Sequence, residues 1–312
     1  MAAAVVQPAT LRYALITGAN KGIGFQICRQ LASKGIMVIL ASRDENRGLQ
    51  AQERLLKEFG VSVLFHQLDV VDPASVAAVS EFIKSRFGRL DILVNNAGIL
   101  GVDVHGEASV LEEYIIEDFK NIAAGGQAEP FHPKANGRLI HTLKSAKECI
   151  ETNYYGAKRV TEALIPLLQQ SDSPRIVNVS SSLGSLVLQT NEWAKEVFSS
   201  KESLIEEKID KVVQEFLKDF EEGKLEEKQW PPHLAAYKVS KEAMNAYTWL
   251  VAKNYPSLCI NSVCPGFSRT DITLNFGLQS EVEAAESPVK MALLPDGGPS
   301  GCSFHRWEAL AL

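Results

Sequence analysis

The chain has 312 residues, 46% of them hydrophobic, and a net charge of −6. That length and apolar content suit one large α/β core, and the longest apolar runs fall far short of the ~20 residues a membrane span needs. The acidic balance leaves no basic stripe for nucleic acid, and five cysteines without a Cys-x-x-Cys pair suggest neither a disulfide framework nor a zinc site.

Met1 to Thr10 lacks the basic and apolar regions of a secretory leader and carries no arginine for a transit peptide, so the cytoplasm is the expected address. Tyr13 to Thr17 reads as a strand, Gly18-Ala-Asn-Lys-Gly-Ile-Gly24 as a turn, and Ile23, Ile27 and Leu31 as one helical face. Glycines 18, 22 and 24 let the backbone approach a pyrophosphate resting on the N–H groups that open the helix. A dinucleotide site is expected there.

Met37 to Ser42 is a second buried strand, ending in Ser42-Arg43-Asp44. Arg43, with Arg47 one turn on and Lys21 in the glycine turn, would surround a 2′-phosphate, which favours NADP(H). The alternative has the arginines solvated and Asp44 holding the ribose of NAD. Val61 to Leu68 is a third strand ending at Asp69-Val70, where Asp69 either contacts adenine or is a plain turn residue. Asp72-Pro73 supplies an N-cap and a first-turn proline. Leu90 to Val94 is a fourth strand running into Asn95-Asn-Ala-Gly98, small enough for close approach of a ligand.

Gly101 to Leu139 is expected to be a surface excursion with a helical stripe near Leu111 to Phe119 and a loop from Gly125 to Gly137. His132 and His141 lack the company or spacing of a metal site. One long helix, about Thr142 to Gln169, carries Asn153 and a first Tyr-x-x-x-Lys pair, Tyr154 and Lys158. Arg175 to Val179 is a fifth strand that opens into Ser180-Ser-Ser-Leu-Gly184, with no Gly-x-Ser-x-Gly elbow for serine hydrolysis.

Asn191 to Trp230 breaks the α/β rhythm with twelve acids against seven lysines. It reads as an inserted helical arm (the insertion spans about 190–232) whose Ile205, Ile209, Val212, Phe216 and Phe220 form one apolar stripe. The arm is expected to act both as a structural cover and as a flap over the active site. A second Tyr-x-x-x-Lys pair, Tyr237 and Lys241, follows on a buried helix that runs to about Asn254. Leu258 to Val263 is a sixth strand closed by Pro265-Gly266, with Thr270-Asp271 beyond it. Pro288 to Leu294 gives a last short helix, and Cys302 to His305 a possible edge strand. The plan is a single doubly wound parallel α/β domain, a Rossmann fold, over residues 1–312.

Tyr154 and Lys158 precede the fifth strand, whereas Tyr237 and Lys241 follow it and its serines, so only the later pair can face Ser181 across a cofactor. Together Thr17-Gly-x-x-x-Gly-x-Gly24, Asn95-Asn-Ala-Gly98, Asn153, Ser181, Tyr237-x-x-x-Lys241 and Pro265-Gly266 resemble the classical short-chain dehydrogenase/reductase family over nearly the whole chain. The resemblance implies Tyr237 as proton donor to a carbonyl oxygen, Lys241 lowering its pKa and binding the nicotinamide ribose, Ser181 holding the substrate oxygen, and Asn153 ordering a relay water. It further implies cofactor contacts from Gly18, Asn20, Lys21, Gly22, Ile23, Gly24, Arg43, Arg47, Asp69, Val70, Asn95, Ala97, Gly98, Tyr237, Lys241, Pro265, Gly266 and Thr270.

The long insertion between Ser181 and Tyr237, with Phe65-His-Gln-Leu-Asp69 and Leu294-Pro-Asp-Gly-Gly-Pro-Ser-Gly301, is similar to the monomeric carbonyl reductase subgroup that includes plant salutaridine and neomenthol (menthone) reductases. This implies NADPH-dependent reduction of a small-molecule ketone or aldehyde to an alcohol. It also implies a monomer, because the arm covers the helices that usually form the tetramer interface. Competing readings are a catalytically silent NADP-binding regulator and an enone double-bond reductase, which would not need the phenol.

Overall fold

The computed structural model describes residues 11–126 and 131–310. The reading of the first ten residues lies outside the described residues, as do 127–130 of the Gly125 to Gly137 stretch and the last two residues of the chain. In chain order the elements are β1 (Tyr13–Ile16), α1 (Gly22–Ala32), β2 (Met37–Ser42), α2 (Glu45–Phe59), β3 (Leu64–Gln67), α3 (Pro73–Phe87) and β4 (Ile92–Asn95). The excursion follows as β5 (Asp103–Gly106), α4 (Ser109–Ala123) and β6 (Gly137–Ile140). Then come α5 (Leu143–Ile150), α6 (Ala157–Leu168), β7 (Arg175–Val179), α7 (Glu192–Ser199), α8 (Glu206–Glu221), α9 (Ala235–Asn254), β8 (Cys259–Cys264), α10 (Glu281–Ala292), β9 (Cys302–His305) and β10 (Glu308–Leu310).

Eight strands form one sheet in the order β10-β9-β8-β7-β4-β1-β2-β3, parallel throughout except for β10, which runs antiparallel to β9. Strand order reverses between β1 and β4, so the loops leaving these two strands diverge and open a crevice at their carboxyl ends. The central strands are covered on both faces. Ala14, Ile16, Val38 and Leu40 pack under α1 and α10, whereas Leu15, Ile39 and Leu93 face the core shared with α6, α8 and α9. The period-two alternation of Ala14-Leu15-Ile16 therefore feeds two separate cores.

The expected long helix over 142–169 is interrupted. Glu151–Gly156 is a π-helical segment between α5 and α6. Such a turn holds one extra residue and re-aims its side chains. The excursion also contains an unexpected antiparallel pair of strands flanking α4 in the chain, with Asp103 opposite Ile140 and Gly106 opposite Gly137. Alternation there is too short and too polar to stand out in the sequence.

The last helix begins earlier than Pro288. Ser280 and Glu283 form a capping box that starts α10 at Glu281 and leaves Pro288 inside the helix. Pro288 has no N–H for the carbonyl of Ala284, and the hydroxyl of Ser287 donates to that oxygen instead, at 3.5 Å. In the arm, Ile209, Val212 and Phe216 are fully buried as expected, but Ile205 precedes α8 and is half exposed, so it does not belong to the stripe.

Candidate active site

The crevice is a cleft of about 1480 Å³ running from the glycine turn to the arm. Of the residues expected to bind cofactor or substrate, all but Asn95 and Asn153 line it. Gly18 and Gly22 have positive φ, and a Cβ on Gly18 would come within 2.8 Å of the Ala97 backbone. A Cβ on Gly24 would meet Asn96 Nδ2 at 2.4 Å. The first turn of α1 has neither a side-chain cap nor an acidic residue, so its N–H groups face the cleft unmasked. This is the chemistry of a phosphate cradle.

At the end of β2, Asp44 is occupied as the N-cap of α2, accepting the Arg47 N–H at 2.9 Å. Arg43 is exposed at the cleft and has no ion-pair partner among the described residues. Two parts of the expected constellation change. Lys21 does not converge with Arg43 and Arg47 but pairs with Asp271 across the cleft mouth. Both partners are more than half exposed, so water screens that pair and it is worth little. Arg47 also leans back on Asp44, with Nε at 3.6 Å from Oδ2.

The side chain of Asn95 points away from the cleft, contrary to expectation. Buried at 2% exposure, it donates to Thr161 Oγ1 at 2.9 Å and to Asn178 Oδ1 at 2.8 Å, locking β4 to β7 and α6. Its neighbour Asn96, absent from the expectations, lines the cleft and donates to the backbone oxygens of Thr17 and Gly18. In a twin Asn-Asn sequence, only strand phase decides which amide faces the ligand side.

Tyr237 and Lys241 lie one turn apart on α9, with Lys241 Nζ 5.6 Å from the centre of the Tyr237 ring and donating to the Val179 carbonyl at 2.9 Å. A Cβ on Gly98 would sit 3.7 Å from the same Nζ, and a Cβ on Gly184 would press on Lys241 at 2.7 Å. Burial pushes the Lys241 ammonium down to about 8. Burial also holds the Tyr237 phenol above its ordinary value, opposed by a hydrogen bond with Ser181. In the protein alone the phenol is thus held up by desolvation, and the expected lowering by Lys241 is not seen. At neutral pH the phenol keeps its proton.

Ser181 opens the turn at 182–184, its Oγ accepting the Leu183 N–H at 3.1 Å. Asn153 sits in the π segment, fully buried behind the cleft. Its Oδ1 accepts the Ile99 N–H at 2.8 Å, while Nδ2 donates to the Ile99 carbonyl at 2.9 Å and to Ser240 Oγ at 3.0 Å. Ser240 in turn donates to the Tyr237 carbonyl at 2.7 Å. One amide thus ties the loop after β4 to the turn of α9 that bears the tyrosine. Nothing in sequence pattern singles out Ile99 or Ser240 for this.

The competing pair behaves differently. Tyr154 donates to Asp210 Oδ1, and Lys158 bonds Asp210 Oδ2 at 2.8 Å and Glu206 at 2.6 Å. It anchors α8 and lies away from the cleft.

A glycine cradle at the strand-order switch and a buried Tyr-x-x-x-Lys turn beside a serine define a nucleotide-dependent oxidoreductase. A family profile described as short chain dehydrogenase matches residues 12–125. The (-)-isopiperitenone reductase of Mentha piperita is 64% identical over 308 residues, 96% of this chain and 98% of that protein. The solved structure of menthone neomenthol reductase from Mentha piperita superposes with a TM-score of 0.87 at 65% identity, covering 96% of this chain and 99% of the other. Salutaridine reductase from Papaver somniferum gives 0.83 at 46% identity, over 94% and 99%. The chain belongs to the short-chain dehydrogenase/reductase family.

Proposed function

We propose that the protein reduces the carbonyl of an apolar cyclic ketone, of the terpenoid or alkaloid kind named for its relatives, to an alcohol with NADPH. The observation that carries this reading is geometric: Tyr237, Lys241 and Ser181 line the same cleft as the glycine cradle, with Lys241 Nζ 5.6 Å from the centre of the Tyr237 ring. A phenol that retains its proton is the form needed to protonate a developing alkoxide. Ser181 would hold the carbonyl oxygen, and Lys241, fixed on Val179, would place its charge beneath the pair. Asn153 keeps the loop at Ile99 in register with α9, and its main role is this clamp.

Gly18, Gly22 and Gly24 with the first turn of α1 would hold the pyrophosphate, and Arg43 the 2′-phosphate, because Asp44 is already used as a cap. Asn20, Lys21, Ile23, Asp69, Val70, Ala97, Gly98, Pro265, Gly266 and Thr270 line the remainder of that path. When bound, the nicotinamide supplies the hydride. The substrate half is walled by Ile115, Phe119, Leu183 and Phe267, which favours apolar compounds.

Packing of α8 on α5 and α9 supports a monomer, since a second copy could not reach those helices, and sedimentation at a dimer mass would overturn it. Five free thiols and the lack of any helix long and apolar enough to cross a membrane among the described residues support a cytoplasmic address.

The test is NADPH oxidation with menthone, salutaridine, an aldehyde and a cyclic enone, with products identified and Tyr237→Phe as control. Alcohol products lost in Tyr237→Phe are expected. Full turnover by that variant, or saturation of a C=C bond with the carbonyl left intact, would overturn the reading, and no turnover at all would favour a silent binder.

A further inference from the structure

The residue after the phenol is itself unusual. Lys238 lies on α9 about 100° around from Tyr237, so it leaves the cleft and enters the protein. Its side chain is 2% exposed, and Nζ donates at 2.8 Å to Asp118 Oδ1, whose side chain is 1% exposed. His233 Nε2 also bonds Asp118 Oδ1, at 3.0 Å, and its ring packs on Tyr114. The other oxygen, Asp118 Oδ2, is buried with no partner among the described residues. Asp118 belongs to α4, the helix of the excursion, and is followed by Phe119, which lines the cleft together with Ile115.

Two charges in so dry a place are costly to desolvate, and well-packed apolar residues usually serve stability as well or better. The start of α9 explains what they do instead. Leu234, its N-cap, has φ 51° and offers no side-chain cap. A non-glycine residue in that conformation must be held by its surroundings. Asp118 does so by accepting from His233, the residue before Leu234, and from Lys238, the fourth residue of α9, and by setting a negative charge near the positive end of that helix.

We infer that the Asp118–Lys238 pair, with His233, is a positioning device that fixes the Ile115–Phe119 wall of the substrate pocket relative to the Tyr237 phenol and so determines which carbonyl compounds fit. Asp118 adjoins the wall and Lys238 adjoins the acid, so the tether sets the spacing between them. This rests on the carbonyl-reductase reading above.

The experiment compares Lys238→Met, Asp118→Asn and the apolar double variant Asp118→Leu/Lys238→Met with the wild type. It measures Tm, NADPH Kd, kcat and KM for menthone and for a small aldehyde, and backbone hydrogen exchange over residues 109–123. Expected for each single variant are a lower Tm, a menthone KM raised about tenfold, aldehyde KM and NADPH Kd within about twofold, and exchange in α4 about tenfold faster. The double variant should recover Tm while keeping the raised menthone KM. Recovery of KM together with Tm would show a merely structural pair and overturn the inference, as would unchanged KM and exchange in the single variants. Should the wild type reduce no carbonyl compound, the functional reading fails, and exchange still decides the tether: faster exchange in Asp118→Asn supports it and unchanged exchange refutes it.

Discussion

Tyr154 donates its hydroxyl to Asp210 of the arm at 2.7 Å, although sequence spacing makes Tyr154 and Lys158 look as catalytic as Tyr237 and Lys241. The same Tyr-x-x-x-Lys spacing thus performs two tasks in one chain. On α9 it sits under the cofactor cleft, and on the helix before β7 it grips an acidic arm that α/β packing alone would not retain. Tyr154 is 1% exposed, so loss of its partner leaves a buried polar group.

Replacing Asp210 with Ala is expected to cost about 2–4 kcal/mol in urea denaturation, because it strands Tyr154 and removes one of the two carboxylates on Lys158. Tyr154→Phe should cost about 1 kcal/mol and keep turnover within a few-fold. Tyr237→Phe should lower kcat by about 10²–10⁴-fold at unchanged stability. A larger catalytic loss in Tyr154→Phe than in Tyr237→Phe would reverse the assignment.

Ser240 links the Asn153 amide to the Tyr237 carbonyl. Its replacement by Ala leaves one Nδ2 proton of a fully buried asparagine with fewer acceptors and loosens the turn bearing the phenol. Turnover of Ser240→Ala should fall about tenfold while NADPH Kd is retained, as read by steady-state kinetics and fluorescence titration. An unaltered kcat would show that the clamp on Ile99 alone holds Asn153.

Cofactor choice should depend on Arg43 far more than on Lys21. Arg43→Ala is expected to reduce the NADPH-over-NADH preference in kcat/KM by about 10–100-fold, the worth of one charge-assisted contact. Lys21→Ala should change it only a few-fold, since Asp271 already engages that ammonium. Equal effects would show that Lys21 exchanges partners and reaches the phosphate.

Glu242, 1% exposed on α9, is pushed up to about 8 by burial, with a hydrogen bond from Gln189 at 2.6 Å as the main opposing influence. Below the ordinary carboxyl range both folded and unfolded states hold the proton. Between there and about pH 8 the folded state binds more protons, so stability falls as pH rises. Lys241, pushed down to about 8, is protonated in both states below pH 7 and adds no slope there. Glu242→Gln should therefore match the wild type near pH 4.5 and become progressively more stable by pH 7.5, by a few kcal/mol at most. Parallel Tm curves from pH 4.5 to 7.5 would refute this.

Much of the site is legible in the chain because it is made of local chemistry. Gly18, Gly22 and Gly24 must be glycine for backbone geometry, Asp72-Pro73 starts α3 with its own side chain, and strands β2 and β7 have the bounds that their apolar runs predict. Order along the chain even separated the two Tyr-x-x-x-Lys pairs.

What escaped depends on contacts between distant segments. The π segment at Asn153, the β5–β6 pairing of the excursion, the inward turn of Asn95 and the diversion of Lys21 to Asp271 all come from partners 31 to 250 residues away. Composition and spacing picked out a glycine turn between strand and helix and two Tyr-x-x-x-Lys pairs, because each is built from neighbours in the chain. Only the tertiary structure decided which asparagine faces the cleft, what Tyr154 holds, and that a buried Asp118 meets the lysine beside the phenol, because a side chain's partner is fixed by packing across the core and not by its neighbours in sequence.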